Sequence, residues 1–168
     1  MIYFMLSLEA SLMASENSGK RKILFLCTHN SARSQMAEGL LRFMNGDLYE
    51  AYSAGIIATY VDPRAVKVMS EIGIDISGQA SKGMDEFRGI LFDIAVTVCD
   101  KAREMCPICG VSFQAPDNTP AARETIHKTF RDPALAEGSG EEQLSVFRLV
   151  RDEIKEWIAR TFVDQMVQ

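Results

Sequence analysis

The sequence predicts a single α/β domain built on a parallel β-sheet with helices on both faces. Two observations lead to this prediction. Short apolar segments alternate along the chain with amphipathic helical segments, the order expected of parallel strands joined by crossover helices. The 168 residues, 47% of them apolar and 24% charged, fit one ordinary globular domain. No internal repeat interrupts the alternation.

The predicted strands are short segments rich in apolar or β-branched residues. They lie at residues 23–26, 48–53, 94–98 and 125–130. The first is a continuous apolar run, typical of a strand buried on both faces, and it ends at Cys27. The third, Ile-Ala-Val-Thr-Val, is the clearest strand in the chain.

The predicted helices carry apolar residues at helical spacing. They lie at residues 34–45, 62–73 and 140–162. Asp62 and Pro63 mark the start of the second helix as its N-cap and first helical residue, and Gly73 is placed to end it. A further short helix is expected at residues 82–89, whereas residues 107–123 have the proline-rich and glycine-rich composition of a loop.

The composition excludes several classes of function. A net charge of −5, from 23 acidic and 18 basic residues, argues against nucleic acid or an anionic membrane as the main partner, because both require a basic face. No apolar run reaches the about 18 residues that span a bilayer. A chain of this length does not need its four cysteines as disulfide staples, so we expect a cytoplasmic protein with reactive thiols or metal-ligating cysteines.

The first 19 residues are set apart from the domain, which we place at residues 20–168. They begin apolar and end polar, but they contain no basic residue and Glu9 interrupts the apolar stretch, unlike a secretory signal. We expect residues 1–19 to be a poorly ordered extension, or the product of an upstream start chosen over Met13.

The strongest motif follows the first predicted strand. Residues 27–34 read CTHNSARS, a Cys, five residues, Arg and Ser, between a strand and a helix. A tight loop at a helix N-terminus turns its backbone N–H groups inward and binds an anion. Arg33 can hold two oxygens of a tetrahedral oxyanion, and Cys27 is expected to be a thiolate nucleophile in the same field.

The remaining residues of this loop have supporting roles. We expect the Ser34 hydroxyl to donate a hydrogen bond to the sulfur and the Asn30 side chain to brace the strained loop. No specific side chain is required at position 29. The residues expected to contact the substrate are Thr28, His29, Asn30, Ser31, Ala32 and Arg33.

On these residues the chain resembles the low-molecular-weight protein tyrosine phosphatase superfamily, and within it the arsenate reductases that use thiol cascades. The resemblance covers about residues 20–162. It rests on CTHNSARSQMAEG, on YSAG at 52–55, GIDIS at 73–77, VTVCD at 96–100, Asp132-Pro133 and FRLVRDEI at 147–154. It implies a doubly wound sheet of four parallel strands, with Cys27 as nucleophile, Arg33 as oxyanion clamp and Asp132 as general acid.

The resemblance to the reductases extends to two further cysteines. Cys99 directly follows the strand predicted at residues 94–98, so in a parallel sheet it lies at the same carboxyl edge as Cys27, where the anion binds. Cys106 lies in the loop that follows. The implied cascade joins Cys27 to Cys99 and then Cys99 to Cys106. It needs no tightly bound cofactor, but it needs a transient electron donor, either thioredoxin or glutathione with glutaredoxin.

Two alternatives stay open. A phosphatase would need only Cys27, Arg33 and Asp132, but Ala134 and Leu135 stand where the tyrosine phosphatases carry substrate-binding tyrosines, which favours a small inorganic oxyanion. A non-enzymatic sensor of redox state or metal would instead hold zinc. Its ligands would be Cys99, Cys106, Cys109 and His127.

Two residues depart from the family. Cys109 forms a Cys-x-x-Cys pair with Cys106, and its role as relay thiol or spectator stays open. Some relatives bind a monovalent cation through residues matching Asn30, Glu38 and Ser53. Lys82 lies near that place, so its ammonium group is expected to replace the cation, and no metal site is assigned.

Overall fold

The computed structural model describes residues 19–105 and 121–162, and the account below is confined to them. The four strands are β1 Arg21–Cys27, β2 Tyr49–Gly55, β3 Leu91–Thr97 and β4 Ala121–His127. All neighbouring pairs are parallel, and the strand order is β2-β1-β3-β4. The predicted doubly wound α/β fold is therefore confirmed.

Helices and short helical turns connect the strands. The helices are α1 Arg33–Asn45, α2 Pro63–Ser70, α3 Asp100–Met105 and α4 Gly140–Thr161. Two 3-10 turns, Met84–Phe87 and Pro133–Leu135, complete the described elements. None of the described helices is long and apolar enough to cross a membrane.

Burial of β1 on both faces explains its unbroken apolar sequence, because a central strand of a parallel sheet has no solvent-facing side. Ile23, Phe25 and Cys27 face the main core, to which α1, α2 and α4 contribute their apolar stripes. Leu24 and Leu26 face a smaller cluster with Phe87 and Phe92 on the other side. The strand thus carries Cys27 from the middle of the sheet to its carboxyl edge.

Several boundaries differ from the sequence prediction. β4 lies at Ala121–His127 instead of 125–130, because this edge strand is only partly buried and its apolar pattern is weak. Helix α3 was not predicted, since its six residues bury only the side chain of Ala102. The short helix expected at 82–89 is a 3-10 turn. Apart from Gly19, the extension expected at residues 1–19 lies outside the described residues.

Candidate active site

The loop between β1 and α1 folds tightly against the end of β2. Asn30 has a φ of 49°, a left-handed conformation that is uncommon for any residue except glycine. Gly55 lies beside Cys27 in the sheet, and a Cβ there would come within 2.8 Å of the Asn30 nitrogen. The glycine in the YSAG motif therefore leaves the space that this loop needs.

The loop directs hydrogen-bond donors at the Cys27 sulfur, which is 3% exposed. The Asn30 N–H donates to Sγ at 3.1 Å, and the Ser34 Oγ lies 2.8 Å from the same sulfur. Ser34 Oγ also accepts a hydrogen bond from Asn30 Nδ2 at 2.9 Å, and its own hydrogen remains available to the sulfur. Two hydrogen-bonding groups therefore converge on the Cys27 sulfur.

Asn30 also holds the loop through its side chain. Its Oδ1 accepts hydrogen bonds from Gln35 Nε2 at 2.9 Å and from the Lys82 N–H at 2.8 Å. Its Nδ2 donates to Ser53 Oγ as well as to Ser34, again at 2.9 Å. The buried amide thus makes all the hydrogen bonds that it can make. These bonds offset the free-energy cost of its left-handed backbone conformation.

A buried carboxylate lies behind this network. Glu38, 4% exposed, accepts a hydrogen bond from the Ser53 hydroxyl and pairs with Arg42. The ammonium group of Lys82 lies 3.7 Å from Glu38 Oε2. Within residues 19–105 and 121–162, no cluster of three or more His, Cys, Asp or Glu side chains could hold a metal ion. Two cationic side chains, those of Arg42 and Lys82, therefore lie beside the Glu38 carboxylate.

Arg33 joins the loop to the segment that follows β4. Its guanidinium lies 2.9 Å from Asp132 Oδ2 and donates to the carbonyl of Phe130 at 3.2 Å. The other Asp132 oxygen accepts the Ala134 N–H at 3.1 Å, which caps the 3-10 turn. The arginine and the aspartate named by the sequence motifs therefore meet, although 99 residues separate them.

These groups line a cleft of about 340 Å³ with Cys27 among its wall residues. Of the loop residues expected to bind substrate, His29, Ser31, Ala32 and Arg33 line it directly. Its remaining wall residues are Thr59, Tyr60, Asp62, Arg64, Asp132 and Ala134.

A second arginine of the cleft, Arg64, is not predicted by any sequence motif. Arg64 contacts Asp62 through two nitrogens at 2.7 and 3.0 Å and donates to Gln143 at 2.8 Å. Hydrogen bonding to Asp62 raises the pKa of Arg64 above its usual value. Asp62 was identified only as a helix cap, and it is one (2.9 Å to the Arg64 N–H). The sequence DPR after β2 was the available signal, but nothing in it shows that this turn folds over the loop.

Cys99 lies just beyond the end of β3, next to the same loop. Its sulfur is 3.5 Å from the Thr28 hydroxyl and accepts the Ala102 N–H at 3.4 Å. Both Cys27 and Cys99 are buried free thiols. Cys106 and Cys109 lie outside the described residues. His127, considered above as a zinc ligand, has both ring nitrogens in hydrogen bonds, to Thr97 and Asp100.

Comparison with known proteins identifies relatives over most of the chain. The family model described as low molecular weight phosphotyrosine protein phosphatase matches residues 22–167. An arsenate reductase of Halalkalibacterium halodurans is 48% identical over 145 residues, covering 86% of this chain and 96% of that protein. An arsenate reductase of Bacillus subtilis is 46% identical over 132 residues, covering 79% and 88%.

Solved structures of similar proteins superpose on most of the chain. An arsenate reductase in the phosphate binding state superposes with a TM-score of 0.57 at 30% identity, covering 83% of this chain and 95% of that one. A low molecular weight protein tyrosine phosphatase from T. tengcongensis superposes with a TM-score of 0.64 at 23% identity, covering 85% and 98%. The similarity to the T. tengcongensis phosphatase shows a shared fold.

Proposed function

This chain belongs to the low molecular weight phosphotyrosine protein phosphatase family, and from that membership we propose that it is an arsenate reductase working through successive thiol attacks. The observation that carries the proposal is Cys99, a second buried free thiol against the anion-binding loop. A phosphatase hydrolyses its cysteine adduct with water and has no use for this thiol. A reductase requires it, because thiols must supply two electrons.

The first step uses the loop and the acid. Cys27 attacks arsenic as a thiolate and forms a sulfur–arsenic bond, while one arsenate oxygen leaves. Asp132, placed 2.9 Å from Arg33, gives that oxygen its proton, and water departs. Arg33 and the loop N–H groups hold the remaining oxygens. Arg33 has to exchange its contact with Asp132 for the substrate, which frees the carboxyl group for this role.

The second step transfers the electrons. Cys99 attacks the Cys27 sulfur as a thiolate, and a disulfide bond forms. The electron pair of the sulfur–arsenic bond moves onto arsenic, so arsenate is reduced to arsenite and leaves. Two thiols are oxidised to one disulfide, which accounts for both electrons.

The third step regenerates the loop. Cys106 attacks Cys99, which forms a Cys99–Cys106 disulfide and releases Cys27 as a thiolate. An external dithiol then reduces this disulfide. We propose thioredoxin as the donor, with glutathione and glutaredoxin as the competing assignment, and a cytoplasmic location, where such donors keep thiols reduced. As a relay thiol, Cys109 would act in place of Cys106 or after it.

One observation favours phosphoester hydrolysis as a second activity. Tyr60 is 65% exposed and lines the cleft, so an aromatic surface is available beside the nucleophile. Ala134, which also lines the cleft, and the neighbouring Leu135 add no aromatic ring, which limits recognition of an aromatic ester. We therefore rank phosphatase activity below arsenate reduction.

The test measures both activities in three proteins. Wild type should reduce arsenate catalytically with one of the two donor systems supplied alone. Cys27→Ser should lose arsenate reduction and any hydrolysis of p-nitrophenyl phosphate, whereas Cys99→Ser should lose only reduction. Peptide mapping of the oxidised protein should find the Cys99–Cys106 disulfide. Multiple-turnover reduction by Cys99→Ser would refute the cascade.

A further inference from the structure

Four polar side chains form a cluster where α3 meets the ends of β3 and β4. They are Thr97, Asp100, His127 and Thr129, and we call them the Asp100 cluster. Asp100 Oδ1 lies 2.6 Å from Thr129 Oγ1 and 3.0 Å from His127 Nε2. His127 Nδ1 lies 2.8 Å from Thr97 Oγ1, and Thr129 Oγ1 lies 2.9 Å from His127 Nε2. None of these residues lines the cleft described above.

A consistent set of hydrogen-bond directions satisfies every contact in the cluster. Thr97 donates to Nδ1, Nε2 donates to Asp100 and Thr129, and the Thr129 hydroxyl donates to Asp100. The carboxylate thereby receives hydrogen bonds from two directions. These bonds hold the pKa of Asp100 below its usual value, with Thr129 as the largest cause and His127 next. The cluster therefore orients the Asp100 carboxylate toward His127 and Thr129.

The cluster matters because α3 has few other attachments. Its six residues bury a single side chain, Ala102. Backbone hydrogen bonds tie the chain ahead of Cys99 to the segment after β4, from Lys128 to Thr97 at 2.9 Å and from Phe130 to Val98 at 3.2 Å. After Cys99, the contacts of the Asp100 side chain with His127 and Thr129 connect the chain to the same segment. Cys99 thus lies between a segment fixed by the sheet and a helix fixed by the cluster.

We propose that His127 and Thr129 are positioning residues for the second thiol step. By holding Asp100, they keep the Cys99 sulfur against the Thr28 hydroxyl and the Ala102 N–H, in place to attack Cys27. The step itself is unchanged: a Cys27–Cys99 bond forms as the sulfur–arsenic electron pair moves onto arsenic. This inference rests on the proposed arsenate reduction.

The exposure of the cluster suits the step that follows. The Asp100 side chain is 69% exposed, and hydrogen bonds at such a site exchange readily with water. When the disulfide at Cys99 is attacked in turn, these bonds can therefore break and let α3 move. The cluster therefore holds the reduced state without preventing the release.

The test compares a double variant, Thr129→Val with His127→Leu, with a single Thr129→Ser variant that keeps the hydroxyl. The kcat for arsenate reduction should fall about tenfold in the double variant, with KM for arsenate unchanged. Thr129→Ser should retain the wild-type kcat. Arsenate protection of Cys27 against alkylation, which needs the loop but not Cys99, should be the same in all three proteins.

Three other outcomes would contradict the positioning role or the proposed function. Wild-type kcat in the double variant overturns the positioning role while leaving the proposed function intact. Loss of Cys27 protection together with kcat also overturns it, because the damage would then extend to the loop. A wild type that reduces no arsenate with either donor refutes the proposed function first, and this inference with it.

Discussion

At the scale of single residues, the site works through the direction of a few hydrogen bonds. Asn30 donates to the Ser34 oxygen, and the serine hydrogen is available to the Cys27 sulfur. Asn30 in turn is held by Gln35, Ser53 and the backbone of Lys82. The hydrogen bonds at the Cys27 sulfur therefore depend in part on Gln35, Ser53 and Lys82, which lie outside residues 27–34.

Removing one donor tests this dependence. In Ser34→Ala the sulfur keeps the Asn30 N–H but loses the hydroxyl, so negative charge on Cys27 becomes less favourable. We expect alkylation of Cys27 by iodoacetamide at pH 7 to slow about tenfold, since a hydrogen bond to a charged group is lost. Ser145→Ala, at an exposed position of α4, is the matched control. Equal alkylation rates in both variants would show that Ser34 does not stabilise the thiolate.

The ion pair between Arg33 and Asp132 predicts two effects of opposite sign. Asp132→Asn removes the proton donor, so kcat for arsenate reduction should fall by about a hundredfold. It also removes the carboxylate that competes with the substrate for Arg33, so phosphate or arsenate should bind more tightly. Steady-state kinetics and calorimetric titration with phosphate measure the two effects separately. Weaker phosphate binding in Asp132→Asn would contradict the exchange of partners at Arg33.

At the scale of elements, side-chain contacts join α2, whose first turn carries the cleft residue Arg64, to α4. The Arg148 guanidinium of α4 contacts both oxygens of Glu71, the residue after the last turn of α2, at 2.8 Å. At the other end of α2, Arg64 connects the helix start to Gln143 of α4 and lies 4.7 Å from the centre of the Phe147 ring. Two arginines thus tie the ends of α2 to one face of α4.

The Glu71 contact makes part of the stability depend on pH. Hydrogen bonding to Arg148 holds the pKa of Glu71 below its usual value in the folded protein. Its contribution is therefore present above the pKa of the unfolded chain and is lost as pH falls through the lower folded value. Glu71→Gln should melt a few degrees below wild type at pH 7 and converge with it in acid.

The matched control for this change is Glu137→Gln, an exposed position outside the helices. It should melt with the wild type throughout the pH range. A difference between Glu71→Gln and wild type that persists at pH 2 would assign the effect to packing and not to the charge of Glu71.

At the scale of the whole molecule, the cleft forms only when segments that are far apart in the sequence fold together. Its walls come from the loop after β1, the turn after β2 and the turn after β4. An oxyanion bound there contacts the folded chain and not the unfolded one, so it should stabilise the fold by mass action.

The expected result is a melting temperature that rises with phosphate or arsenate concentration. At about a hundred times the dissociation constant the gain is about 2.7 kcal/mol. Arg33→Ala should abolish most of the rise, because it removes the side chain that holds the anion. Sodium chloride at equal ionic strength controls for general screening. An equal rise in Arg33→Ala would place the anion elsewhere on the protein.

Part of this architecture is predictable from local sequence. The buried run of β1, the cap at Asp62 and the apolar stripe of α4 identify their elements, because burial and capping leave periodic or short-range patterns. Helix α3 and the true limits of β4 do not show such patterns. Helix α3 buries only one side chain, and an edge strand tolerates mixed composition.

The sequence by itself predicted the reacting groups, a thiol and an arginine six residues apart on a loop before a helix, with further cysteines available to form disulfides. That information is local, since one short loop contains both groups. Only the tertiary structure decided which distant groups complete the site: Asp132 against Arg33, Arg64 in the cleft wall, and the Asp100 cluster beside Cys99. Parallel strands bring their carboxyl ends to one edge of a sheet, so residues far apart in the chain become neighbours there.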